Sequence, residues 1–176
     1  MIQLIPAYVD GVLTPVEKMD VHRRGLRHLA ISVFVMRGTE VLLQRRALSK
    51  YHTPGLWTNT CCTHPLWGED AVDCARRRLR EELGITEVAP WVRDKVEYRA
   101  EVGNGLIEHE VVDILLADAT PGMTIAPNPD EVCATRWIDL YDLDAELRRW
   151  PDRFTPWLQI YMAEHRELIF GVWESR

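Results

Sequence analysis

The segment Ile107–Leu116, IEHEVVDILL, sets the hardest condition on any fold this chain can adopt. Read as a strand, it puts Glu108 and Glu110 on one face with Val112, Ile114 and Leu116, because side chains alternate along a strand. That is the face a core would bury. An unpaired carboxylate in a core is costly, so the fold must bring these two a cation, a proton or a hydrogen-bonding network. An edge strand whose first turn frays into water would meet the condition equally well, and the segment alone does not choose between the two.

The rest of the chain bounds the answer. Its 176 residues suffice for one domain with a full core, expected over 1–176, and are too few for two comfortable ones. Hydrophobic residues at 47% and charged residues at 27% are ordinary globular usage, which sets aside a disordered chain. The formal charge of −6 argues against nucleic-acid binding, which needs a basic surface, but leaves room for a local basic pocket and an anionic small substrate. MIQLIPAYVDG has neither a basic start nor a long apolar run, and no stretch reaches the length of a membrane span. The expected setting is the cytoplasm, as a monomer or weak homodimer without membrane contact. There Cys61, Cys62, Cys74 and Cys133 are expected as free thiols.

Along the chain, PAYVDGVLT reads as a hairpin turning at Asp10-Gly11, and residues 27 to 45 as two strands around Gly38-Thr39. A loop rich in turn formers runs from Ser49 to about Gly68. Val72, Ala75, Leu79 and Leu83 recur at helical spacing, with Gly84 as the stop. Strands are expected near 95–102 and 109–117, and helices over roughly 139–149 and 155–169. The pattern predicts an α/β (α+β) class, a mixed sheet between helices.

Several residue types bear on chemistry. His22, His28 and His64, with the paired carboxylates, could form a nitrogen and oxygen site for a divalent ion of the zinc, manganese or magnesium group, although sequence spacing does not bring them together. His52, His109 and His165 carry no mark of a ligand. In TNTCCTHP, Cys62 stands two residues before His64, where a nearby metal would make its thiol reactive; a small buried hydrophobe is the other reading. Arg78 and Glu82 lie one turn apart on the predicted helix, and Arg46 and Lys50 precede the loop. Each could be a solvated charge or a phosphate contact.

Taken in order, RRALSK, PGLWTNTCCTHP, a helix ending REELG, YRAEVGNGLIEHE and FTPW resemble the Nudix fold, and within it the type I isopentenyl-diphosphate isomerases, from about Lys18 to Trp157. The Nudix hydrolase pattern GX5EX7REUXEEXGU, with U aliphatic, falls on Glu69, Arg77, Leu79, Glu81, Glu82, Gly84 and Ile85. Thr63 replaces its first glycine, and Arg78 replaces the glutamate that helps hold metals in hydrolases. The isomerases make the second replacement, so the resemblance favours them over a Nudix pyrophosphohydrolase. It implies a Nudix-type sandwich and an enzyme of isoprene biosynthesis. It further implies one Mn, Zn or Mg ion on His22, His28, His64, Glu108 and Glu110, and Cys62 and Glu110 as acid–base groups, with Tyr98 assisting Glu110. Lys18, Arg46, Lys50 and Arg78 would hold the diphosphate, Glu82 and the Cys62 carbonyl a substrate-linked Mg²⁺, and Trp157 would cover a cationic centre. A non-catalytic, metal-stabilised binding module is the remaining rival.

Overall fold

The computed structural model describes residues 2–171; the other positions of the expected 1–176 unit lie outside the described residues. The organising element is β3 (Arg27–Arg37), whose run AISVFVM is buried on both faces, as a central strand must be. One edge of β3 pairs in parallel with β8 (Ile107–Asp118) from Arg27↔His109 to Met36↔Asp118. Beyond β8 lies β7 (Trp91–Glu101), antiparallel to it. The other edge is shared. β1 (Leu4–Val9) touches β3 at Ala7↔His28 and forms the expected hairpin with β2 (Val12–Glu17). Asp10 and Gly11 both have positive φ, 50° and 81°, the turn whose twist suits a hairpin.

The Gly38-Thr39 hairpin behaves differently. β4 (Glu40–Arg46) pairs with β3 only at Met36↔Val41 and Arg37↔Glu40, and then the strands part. β6 (Cys61–Thr63) takes the freed edge of β3, while β5 (Trp57–Thr58) and β9 (Val132–Asp139) pair with β4. Thr60 bridges the gap: its hydroxyl accepts from Val35 N–H at 2.9 Å and donates to the Leu42 carbonyl at 2.6 Å. The opened wedge is where the candidate site forms.

Helices cover both faces. α2 (Ala71–Leu83) buries Cys74, Ala75, Leu79 and Leu83 against Ile31, Val33 and Val35. On the opposite face, Phe34, Val112 and Ile114 pack with α3 (Leu140–Arg149), α4 (Pro156–Glu164) and α5 (Arg166–Phe170). The predicted single helix over 155–169 is therefore two. The chain bends at His165 (φ −125°, ψ 9°), and Phe170 meets Phe34 edge to face at 5.2 Å. The expected strands near 95–102 and 109–117 extend to 91–101 and 107–118. Sequence patterning does not mark α1 (Lys18–Arg24), β5, β6 or β9: α1 has two turns, β5 and β6 only a few residues, and β9 is mostly half-buried without alternation. No helix among the described residues is long and apolar enough to cross a membrane.

The helix stop generates a prediction. Gly84 has φ +65°, and a Cβ there would lie 2.9 Å from Ala126 Cβ and 3.0 Å from its carbonyl oxygen. The Ala126 N–H donates to the Leu83 carbonyl at 2.7 Å, so this loop cannot retreat freely. Gly84→Ala should destabilise by at least the ~1–2 kcal/mol of a left-handed residue. Urea denaturation checks it, and an unchanged midpoint would mean that the 126 loop shifts without cost.

Candidate active site

Strand register builds the centre of the site. Tyr98 on β7, Glu110 on β8 and His28 on β3 are direct cross-strand neighbours and share one face. The Tyr98 hydroxyl lies 2.7 Å from Glu110 Oε2 and 2.8 Å from Glu108 Oε2, so one phenol links both carboxylates. His64, just after β6, brings Nε2 to 3.0 Å from Glu110 Oε1, and His28 brings Nε2 to 3.5 Å. All five groups are buried, so the two carboxylates face the interior rather than fraying into water.

The ring nitrogens show what this centre can hold. Nδ1 of His22 lies 2.6 Å from the Lys18 carbonyl, and Nδ1 of His28 lies 2.7 Å from the Leu26 carbonyl. A carbonyl only accepts, so both Nδ1 atoms carry a proton and both Nε2 atoms are turned toward the centre. Nε2 of His22 is buried with no protein partner, and Nε2 of His28 and His64 face each other at 3.2 Å. Ring nitrogens from three histidines and a carboxylate oxygen converge here, a donor set that suits a divalent cation. The ligand atoms of His22, His28, His64 and Glu110 all lie within 4.8 Å of one another. Burial drives the His22 imidazole down to about 4, despite the favourable bond to Lys18, so it is neutral and able to ligate near neutral pH.

Glu108, expected in the same set, falls in a neighbouring group with His22 and His52. His52 is the residue the sequence reading passed over. It is buried, with Nε2 3.2 Å from Glu108 Oε1, and burial, reinforced by Arg46, holds its pKa at about 2. The carboxylates themselves diverge. Burial and the Glu110 charge push Glu108 well above the usual range; for Glu110 burial acts the same way, but bonds to His28 and His64 outweigh it and hold it well below.

The other expected residues line the same pocket: Lys18, Arg46, Lys50, Cys62, Arg78, Glu82 and Trp157. Cys62 faces it from β6, whereas Cys61 points to the α2 face and is fully buried; burial pushes the Cys62 thiol up to about 12. Arg78 contacts Glu82 at 2.6 Å, and Lys50 contacts Glu131, which sequence reading did not mark, at 2.5 Å. Glu131 stands on a loop without periodicity, so nothing in the sequence singled it out. The Trp157 ring lies under the Arg46 guanidinium at 5.4 Å and edge-on to His52.

A NUDIX domain matches residues 26–158. The "Isopentenyl-diphosphate Delta-isomerase" of Dinoroseobacter shibae is 65% identical over 171 residues, 97% of each chain, and that of Rhodobacter capsulatus 60% identical over 168 residues, 96% of each. The chain belongs to the Nudix family of isopentenyl-diphosphate isomerases. A MutT NUDIX hydrolase structure from Burkholderia pseudomallei, at 24% identity and TM-score 0.58, covers 79% of this chain and 98% of its own. The protein DR0079 of Deinococcus radiodurans, at 13% identity and TM-score 0.71, covers 91% and 96%; both likenesses show the fold alone. Within this Nudix architecture, Glu69 and Arg77 form a two-pronged pair at 2.6 and 2.7 Å that ties the entry loop to α2.

The crowded cations generate a measurable proton effect. Burial, with Lys50 and Arg78 close by, lowers the Lys18 ammonium to about 8. An anion beside it favours the charged form, so its pKa rises and a proton is taken up on binding. Titrating inorganic pyrophosphate near pH ~8.5, in buffers of different ionisation enthalpy, should show wild type binding up to about one proton more than Lys18→Met. Identical proton counts would mean that Lys18 does not sense the anion.

Proposed function

We propose that this pocket interconverts isopentenyl diphosphate and dimethylallyl diphosphate, serving isoprene biosynthesis. The relatives that share about two thirds of its residues are named for that reaction, and the observation that favours it over pyrophosphate hydrolysis is Arg78. A carboxylate at that position of the hydrolase pattern helps gather metal; here a guanidinium stands beside Glu82.

The reaction adds a proton at one carbon of the alkene and removes another two carbons away, with a tertiary carbocation between. Cys62 is assigned one proton transfer, and Glu110, hydrogen-bonded to Tyr98, the other, on the opposite side of the substrate. Buried Trp157 offers its face to the cation, and the enclosing side chains keep out the water that would trap it as an alcohol. Lys18, Arg46, Lys50 and Arg78 grip the diphosphate, which does not react but orients the alkene. His22, His28, His64, Glu110 and, with modest movement, Glu108 would hold a Mn, Zn or Mg ion. Glu82 and the Cys62 carbonyl would hold Mg²⁺ that arrives with the substrate. When bound, the ions supply positive charge that keeps the carboxylates ionised and neutralises the diphosphate.

Incubation with isopentenyl diphosphate and Mg²⁺ tests the activity: dimethylallyl diphosphate without free phosphate is expected, and released phosphate would instead identify a hydrolase. Cys62→Ala should abolish turnover with little loss of folding, while Cys61→Ala keeps most of it; the reverse outcome would put the assigned thiol in the wrong place. For the metal, His64→Ala should weaken binding at least about tenfold by chelator competition, on the order of 1.4 kcal/mol. Undiminished affinity would remove His64 from the site.

A further inference from the structure

The motif TNTCC contains a buried polar chain that the chemistry above does not use. Asn59 is fully buried, and its Nδ2 donates to the carbonyls of Val33 at 3.0 Å and Cys61 at 3.2 Å. Carbonyls only accept, so the amide cannot flip and Oδ1 is fixed as an acceptor. Two donors meet that oxygen: the Thr58 hydroxyl at 3.0 Å and the Cys62 thiol at 2.9 Å. Thr58 in turn accepts the indole N–H of Trp157 at 2.7 Å. The two functional groups assigned to proton transfer and to cation stabilisation are thus joined through one amide oxygen and one hydroxyl.

The far side of the thiol is fixed as well. Its sulfur lies 3.0 Å from Ser32 Oγ, which lies 2.8 Å from the Tyr161 hydroxyl. With the thiol hydrogen committed to Asn59, the Ser32 hydroxyl donates to sulfur and Tyr161 donates to Ser32. Each hydroxyl and thiol hydrogen in this chain therefore has one acceptor and one direction.

We propose that Asn59 and Thr58 are positioning residues that lock the Cys62 thiol and the Trp157 indole into one rigid unit. The inference rests on the isomerase reading. A thiol that adds or removes a proton must be aimed at one carbon, while the indole face covers the carbon next to it. A buried Trp N–H needs some partner for stability alone; what stability does not require is that its partner share an acceptor with the thiol. Misplacement of a reacting group by about 1 Å costs on the order of 100-fold in rate, so the shared oxygen matters to turnover far more than to substrate affinity.

Thr58→Val removes the hydroxyl with almost no change in volume, and Thr58→Ser restores it. Thr58→Val should lower kcat for isopentenyl diphosphate at least about tenfold with KM within about threefold, and Thr58→Ser should recover most of kcat. Equal kcat for the two variants would overturn the proposal, as would a loss seen only in KM. A second readout needs no turnover. The S–H stretching band of Cys62, identified by its disappearance in Cys62→Ser, should move to higher frequency in Asn59→Ala as the thiol loses its acceptor. An unmoved band would overturn the lock, and if Asn59→Ala does not fold, the Thr58 pair decides alone. Should wild type fail to isomerise while the band still shifts, the isomerase reading falls and the Asn59–Cys62 lock stands.

Discussion

Two carboxylates placed side by side in a buried site dictate much of the surrounding structure. Glu108 and Glu110 stand two residues apart on β8, on the face that also carries Val112 and Ile114. Removed from water, they would repel each other strongly, and no apolar packing could compensate. The fold surrounds them with the means of tolerating that charge: the Tyr98 hydroxyl within hydrogen-bond distance of both, His28 and His64 aimed at Glu110, and His52 beside Glu108. Burial in the same place keeps the His22 imidazole neutral, its Nε2 without a protein partner. A cation would complete the set, and the electrostatic cost of the strand would then become binding energy of the site.

The separation of β3 from β4 makes this possible. A continuous hairpin would have closed the sheet over the space that the substrate needs. After two paired positions the strands diverge, β6 inserts along β3, and Cys62 is brought opposite Ser32 on the pocket face. The alternation of β6 then sends Cys61 to the α2 core. A one-residue slip would exchange the two cysteines, which is why adjacent, chemically identical residues can have different fates.

Much of this was legible from periodicity. The alternation in IEHEVVDILL indicated a shared face, and the i, i+3, i+4 spacing of Val72, Ala75, Leu79 and Leu83 indicated the α2 core face, with Gly84 as its left-handed stop. What could not be read came from segments too short or too irregular to carry a period. His52 lies in a loop where nothing in the sequence points inward, and its burial is set by Trp157 and His22, residues more than a hundred positions and thirty positions away. The convergence of His22 from α1 with His64, just after β6, is likewise a property of topology. The resemblance to a family supplied that set; spacing could not have.

Arg78 shows how little sequence change separates two chemistries on one framework. In the helix its guanidinium lies against Glu82 at 2.6 Å and within 3.5 Å of Glu131, while Arg77, one residue earlier, is committed to Glu69. Arg77 braces the helix entrance, while Arg78, one residue on, lines the pocket. A carboxylate there would add a third acid to Glu81 and Glu82 and concentrate metal for attack by water. A guanidinium changes that balance: it pairs with Glu82 and joins Lys18, Arg46 and Lys50 in lining one pocket, a cationic set suited to an anion rather than to a further metal-gathering acid. On the proposed reading the diphosphate is held rather than cleaved, and the chemistry falls to the buried carboxylate and thiol, where a carbocation would form away from water.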